Sequence, residues 1–150
     1  MSDYKPEHPE LSSIYWPLRI AYGLVPLLAG LDKYANVLTN WEKYVSPSLA
    51  AALPMSTHAF LHLVGVIEIA AGLIVLAGAA RLGGYIVAVW LVAITVQLIT
   101  AGILDVAVRD LVMAIGAYTL ARVAELRGEA VVPHFSEHTF AAHHQHQRTA

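Results

Sequence analysis

The chain contains no cysteine. That absence removes disulfides, thiolate metal sites and thiol redox chemistry together, and it leaves the compartment undecided. Charge is also scarce. Charged residues make up 13% of the 150 residues, and hydrophobic residues 57%. Soluble domains carry about a quarter charged residues. A single domain of this length has too little interior to hide so much apolar surface. With a mean hydropathy of +0.58, the implied solvent is lipid. A basic excess is lacking too: net charge is −2 and pI about 6.4, which speaks against nucleic acid as a partner. The first residues, "MSDYKPEHPELSS", hold three acids and lack the basic-then-apolar order of a signal peptide. The first apolar helix is expected to act as its own uncleaved insertion signal.

What is present is a set of long apolar runs. A spanning helix needs about 20 mostly apolar residues. Four segments qualify, at about 13–34, 57–79, 82–104 and 108–125. The first contains Arg19, Pro17 and Pro26 and ends in Asp32-Lys33. Pro26 is expected to kink it, which membrane helices tolerate. "AARLGG" joins the second and third segments, and a few residues around Asp105 join the third and fourth. Such short connections force antiparallel neighbours. The first connection, "ANVLTNWEKYVSPSLAAALPMS", carries Trp41, Tyr44, Pro47 and Pro54 and reads as an interfacial, partly helical segment. No internal repeat is convincing. The expected architecture is all-α: an integral membrane antiparallel four-helix bundle with a long first loop and a His-rich C-terminal tail. Residues 1–13 form a polar arm, 14–126 the transmembrane domain and 127–150 the tail.

Four spans leave both termini on one side. That side receives Lys5, Arg19, Arg81, Arg122, Arg127 and Arg148, and the other Lys33, Lys43 and Arg109. The positive-inside bias then puts both termini in the cytoplasm of a multi-pass protein of the cell's inner membrane.

Three stretches carry a family resemblance. "RIAYGLVPLLAGLDKY", "LVGVIEIAAGLIVLAGAARLGG" and "DVAVRDLVMAIGAYTL", in that order over roughly residues 18–122, resemble the DoxX-like small membrane proteins. The resemblance implies a four-helix membrane bundle. Some members resemble the small membrane subunit of a thiosulfate:quinone oxidoreductase, and others assemble with redox or detoxifying enzymes. A thiol-based role does not carry over to a chain without cysteine.

At 100° per residue, Arg19, Gly23, Pro26, Gly30 and Lys33 share one arc of the first helix, and His58, His62, Gly65, Glu68 and Gly72 one arc of the second. Trp90, Ala93, Gln97, Thr100 and Ala101 share a face of the third. Asp105, Arg109 and Gly116 share one of the fourth. Small residues on each stripe let helices pack closely, so these faces are expected to point inward. Lys33, His58, His62, Asp105, Arg109 and Asp110 then gather at the non-cytoplasmic end, with Asp32 on another face and Glu68 deeper. An ionisable residue inside a membrane costs about 2.5–3.5 kcal/mol on insertion scales. By depth, Lys33 and Arg109 pair with Asp105, Asp110 or Asp32. Glu68, with no cation at its own depth, is expected to be neutral and hydrogen-bonded.

Two readings stay open for this cluster. Lys33, His58, His62, Glu68, Gln97, Asp105, Arg109 and Asp110 offer donors, a proton relay and a stabilising cation to a quinone headgroup. The reading preferred here is that they form a polar knot that fixes helix register. His58 and His62, four apart, suit one metal only with further ligands. In the tail, His134, His138, His143, His144 and His146 are candidate metal ligands, and Val131, Val132, Phe135 and Phe140 offer a partner something to bury. No intrinsic cofactor is implied, a quinone being the candidate ligand. The chain reads first as an accessory or structural subunit of a larger membrane redox complex, not an enzyme on its own, with other membrane subunits and the bilayer as partners. The alternatives are a quinone-interacting subunit of an oxidoreductase such as thiosulfate:quinone oxidoreductase, and a small proton- or solute-conducting bundle.

Overall fold

The computed structural model describes residues 9–131. Five α-helices follow in order: α1 (Pro9–Ala35), α2 (Pro47–Ala52), α3 (Thr57–Leu76), α4 (Ala80–Thr100) and α5 (Leu104–Leu126). A 3-10 turn, Trp41–Tyr44, precedes α2. The described residues contain no strand. The tail histidines His134, His138, His143, His144 and His146 lie outside the described residues.

The boundaries follow local chemistry. α1 starts at Pro9, earlier than the apolar pattern suggests, with Glu10 in its first turn. A proline and an acid both suit a helix start. It then runs on through Pro17 and Pro26. Ser46 and Ser56 cap α2 and α3, accepting from the amides of Leu49 and Ala59, each at 3.2 Å. α3 stops at Leu76, short of the expected 79, because Gly78 takes a φ of +107°. α4 stops at Thr100 instead of 104, because Gly102 takes a φ of +75°. At both ends the amide two residues past the cap reaches back five residues, Ala79 to Ile74 at 3.2 Å and Ile103 to Leu98 at 3.0 Å. This left-handed closure is the cheapest way to end a helix and reverse the chain.

α1 packs chiefly on α3, and α4 on α5. Both contacts are backbone to backbone. A Cβ on Gly30 would lie 2.6 Å from the Gly65 carbonyl oxygen, and one on Gly72 would lie 2.5 Å from the Gly23 carbonyl oxygen. The order of these contacts makes α1 and α3 antiparallel. On the other pair, a Cβ on Gly84 would lie 2.9 Å from the Ala117 carbonyl oxygen. The core that joins the pairs is built from small and branched residues, among them Ala71, Val75, Val87, Leu91, Ala117 and Leu120.

Two expected faces are corrected. The buried side of α4 is Gly83, Gly84, Val87, Leu91, Thr95 and Leu98, while Ala93 and Thr100 are exposed. The buried side of α5 is an alanine stripe, Ala107, Ala114, Ala117, Ala121 and Ala124, while Asp105 and Arg109 are exposed. The physical reason is close approach. α4 and α5 meet where side chains are smallest, and polar residues on these helices do not mark that seam.

Large apolar side chains cover the outside, Val89 at 71% exposure and Val112 at 63% among them. Three helices are long and apolar enough to cross a membrane: Glu10–Ala35, Thr57–Leu76 and Ala80–Thr100. α5 is not among them. Its charges Asp105, Arg109 and Asp110 at one end, and Arg122 and Glu125 at the other, leave only residues 111–121 uncharged.

The end that holds both the start of α1 and the end of α5 is laced together. Arg19 donates from Nε to the Val75 carbonyl at 3.1 Å and from Nη2 to the Leu76 carbonyl at 2.8 Å. It thus closes the carbonyls that the end of α3 leaves open. Its Nη1 donates to the Tyr15 hydroxyl at 3.1 Å, which donates to Glu129 Oε2 at 2.9 Å. Glu129 Oε1 accepts from the Ala80 amide at 2.8 Å and so caps α4.

Gly72→Ala puts a methyl into the Gly23 carbonyl and is expected to lower stability by about 1–3 kcal/mol, the usual cost of overpacking. At Gly102 nothing lies within 4 Å, so Gly102→Ala meets only backbone strain, about 1 kcal/mol. Thermal unfolding in one detergent compares them. A larger loss at Gly102 would show that backbone contact is not what holds α1 to α3.

Candidate functional site at the Lys33–Glu68 pair

Lys33 stands in the last turn of α1 and Glu68 eleven residues into α3, about 17 Å along that helix at 1.5 Å per residue. The Gly30–Gly65 contact decides how they meet. A Cβ on Gly65 would lie 3.1 Å from the Tyr34 ring and 3.4 Å from Lys33 Cβ. The bare backbone therefore leaves a channel for the lysine stem. Lys33 runs inward along it and donates from Nζ to Glu68 Oε2 at 2.5 Å. Lys33 is 5% exposed and Glu68 6%. Two buried charges are tolerated here because each neutralises the other.

This corrects the expected pairing. Lys33 does not pair with Asp105, Asp110 or Asp32, and Glu68 is not without a cation. Matching residues by the depth of their Cα atoms fails for lysine, whose long stem moves its charge away from its backbone.

Trp41 covers the pair from the connection. Its ring centroid lies 3.7 Å from Lys33 Nζ, so the ammonium sits between a carboxylate and an aromatic face. Both contacts favour a cation. The indole N–H donates to Asp32 Oδ2 at 2.8 Å. Asp32 Oδ1 accepts from the amides of Val37 at 2.8 Å and Leu38 at 3.0 Å. One buried carboxylate thus shapes the exit from α1 and aims the tryptophan. Gln97 Nε2 donates to the Tyr44 carbonyl at 2.8 Å and ties the far end of the turn to α4.

The histidines lie at the same end. The His62 ring stacks on Tyr34, centroids 4.4 Å apart, and the Tyr34 hydroxyl donates to the His62 carbonyl at 2.8 Å. His58 lies 4.2 Å from His62, ring to ring, and its Nδ1 is 3.8 Å from Glu42 Oε1 on the exposed rim. An open cavity of about 280 Å³ is lined by Lys33, Asn36, Asn40, Glu42, His58 and Leu61. The buried His62 Nε2 has no hydrogen-bond partner among the described residues. Trp90 borders the Glu68 carboxylate. Half-buried Asp110 lies within electrostatic reach of Lys33 and Glu68.

Of the expected residues, the structure thus brings together Lys33, Glu68, His58 and His62, draws Asp110 near, and uses Gln97 as a tie. Asp105 and Arg109 are exposed and outside the cluster. Trp41, Asp32, Trp90 and Tyr34 join it without having been singled out as site residues. Tyr34 and Trp41 each stand next to a charged residue, Lys33 and Glu42, whereas Trp90 lies mid-helix among apolar neighbours and carries no such signal. Among the described residues no group of three or more His, Asp or Glu side chains converges as a metal site would require.

Lys33→Met leaves Glu68 buried without a partner and is expected to cost about 3 kcal/mol. Lys33→Met with Glu68→Leu removes both charges and is expected to recover most of that loss. Unfolding midpoints of the single and double variants decide it. A double variant weaker than the single one would mean that the pair does more than cancel its own desolvation.

Comparison with protein-family models, curated proteins and solved structures finds no match to this chain. What it does is therefore read from its own residues.

Proposed function

We propose that this chain is a small multi-pass membrane protein that serves as an accessory subunit of a larger membrane redox complex. The observation that carries the proposal is the division of its surface. Apolar side chains face outward on every long helix, while the deepest charges are spent on each other within the fold. Such a molecule offers lipid or other subunits an apolar wall. The redox assignment rests on the resemblance of residues 18–122 to DoxX-like proteins.

In this reading α5 is the fourth span of an antiparallel bundle. Its 23 residues reach about 34 Å, enough for a bilayer core. Both termini then lie in the cytoplasm of the inner membrane, and the Lys33 mouth opens on the far side. Reporter fusions at the two ends test this. Four spans put both on one side of the membrane, whereas three put them on opposite sides.

A second reading is favoured by the buried His62 Nε2, which has no hydrogen-bond partner among the described residues, and by a cavity at the same end that is lined by Lys33 and His58. A quinone supplies carbonyl oxygens for such a donor, with Lys33 and Glu68 available to hold charge or a proton. A small proton- or solute-conducting bundle has less support, because the deepest charges are already paired.

Solubilisation of the native membrane in mild detergent distinguishes the first two. Co-migration with redox subunits is the expected outcome, and a chain that emerges alone rejects the subunit reading. Within such a complex, Lys33→Met with Glu68→Leu, which removes both buried charges together, is expected to leave assembly and quinone reduction near wild type. Loss of quinone reduction with assembly intact would transfer the assignment to the quinone reading.

A further inference from the structure

The buried pair is sealed from one side by very little. The Trp41–Tyr44 turn has no buried residue of its own. The contacts that hold it are the Trp41 N–H to Asp32, the Trp41 face on Lys33, Glu42 beside His58 of α3, and the Gln97 amide to the Tyr44 carbonyl. Its two flanks are fixed. Asn36 sits in the left-handed region at φ +50°, where its amide donates to the Asp32 carbonyl at 2.6 Å. Ser46 is fully buried and starts α2. Between them Val37 and Leu38 are exposed at 82% and 71%. The cavity lies along the flank of the turn and already reaches Lys33, with Leu61 on its wall.

We propose that residues 37–45 form a lid, hinged at Asn36 and Ser46, that swings Trp41 off Lys33 and connects the Lys33–Glu68 pair with water at this mouth. The closed form is the one described. The contacts that open are few and individually modest, so the open form is a minor population within thermal reach. Hinges of this kind are single residues at element ends that absorb a backbone change. What the lid admits is small and polar: water, and with it protons. The motion of the lid does not depend on which complex the chain serves.

The cysteine-free chain makes the test direct. Leu61→Cys places a single thiol on the cavity wall, where Leu61 is 7% exposed. Its reaction with a charged, water-soluble methanethiosulfonate is followed on the purified full chain in lipid nanodiscs. Adding Gln97→Ala releases one latch without touching Trp41 or Lys33. The thiol is then expected to react about five to ten times faster, the population change that follows loss of one hydrogen bond. Asp105→Cys, exposed on the rim of the same end and outside the lid, is the control and should react equally fast in both backgrounds. Equal Leu61→Cys rates with and without Gln97→Ala overturn the lid. So does a parent rate as fast as the rim control. Should Leu61→Cys fold poorly, amide exchange in the otherwise unchanged chain gives the same decision. Gln97→Ala should speed exchange within residues 37–45 and leave the long helices as they were. Faster exchange throughout would make Gln97 a general brace and refute the lid.

Discussion

A lysine and a glutamate that meet in an apolar interior impose conditions on everything around them. Neither charge is stable there alone. The ammonium has to arrive at the carboxylate, which requires a route for its stem, and Gly65 provides it by having no side chain. It also has to be shielded from the solvent end, which Trp41 does with its face. Trp41 in turn is aimed by Asp32, and the turn that carries it is tied to α4 through Gln97. Four separate segments of the chain are thus arranged by one ion pair. The pair itself contributes little net stability, since its attraction is offset by desolvation. Its effect is to fix which residue of α1 lies against which residue of α3.

The glycine contacts do the complementary work. Gly23, Gly30, Gly65 and Gly72 bring two backbones close enough for dispersion to act along the whole crossing. The alanine stripe of α5 does the same for α4. The result is two tight helix pairs joined by a core of valine, leucine and alanine. Large apolar residues are left for the outside. This inverts the usual division of a water-soluble domain, and it agrees with three helices that are long and apolar enough to cross a membrane.

Helices were the legible part of the sequence. Apolar length located the long helices, but not two of their ends: α3 and α4 stop at Leu76 and Thr100, short of the expected 79 and 104, where Gly78 and Gly102 turn left-handed. The α1–α3 seam was also legible, because glycine and polar residues there fall on the same arcs. The α4 and α5 faces were not. Polar residues there suggest an inward face, yet Asp105, Arg109 and Thr100 stand outside and alanine decides the contact. The pairing of Lys33 was hidden for a different reason. Periodicity reports the direction of a Cβ atom, not the reach of a four-carbon stem. Trp41 and Asp32 were hidden because their roles depend on how a connection folds back, which no helical period encodes. The lacing by Arg19 and Glu129 joins residues over a hundred positions apart and has no local signature.

The two ends of the molecule are built to different stiffness. At one, Arg19, Tyr15 and Glu129 tie the start of α1 to the ends of α3 and α5 and to the start of α4 through successive hydrogen bonds. At the other, a four-residue turn rests on a tryptophan face, two hydrogen bonds and the exposed Glu42–His58 contact. Local opening begins where cooperative contacts are fewest. Thermal agitation therefore spends itself first at the Lys33 mouth, while the Arg19 end stays assembled. The fold behaves as a pair of tongs with a fixed heel.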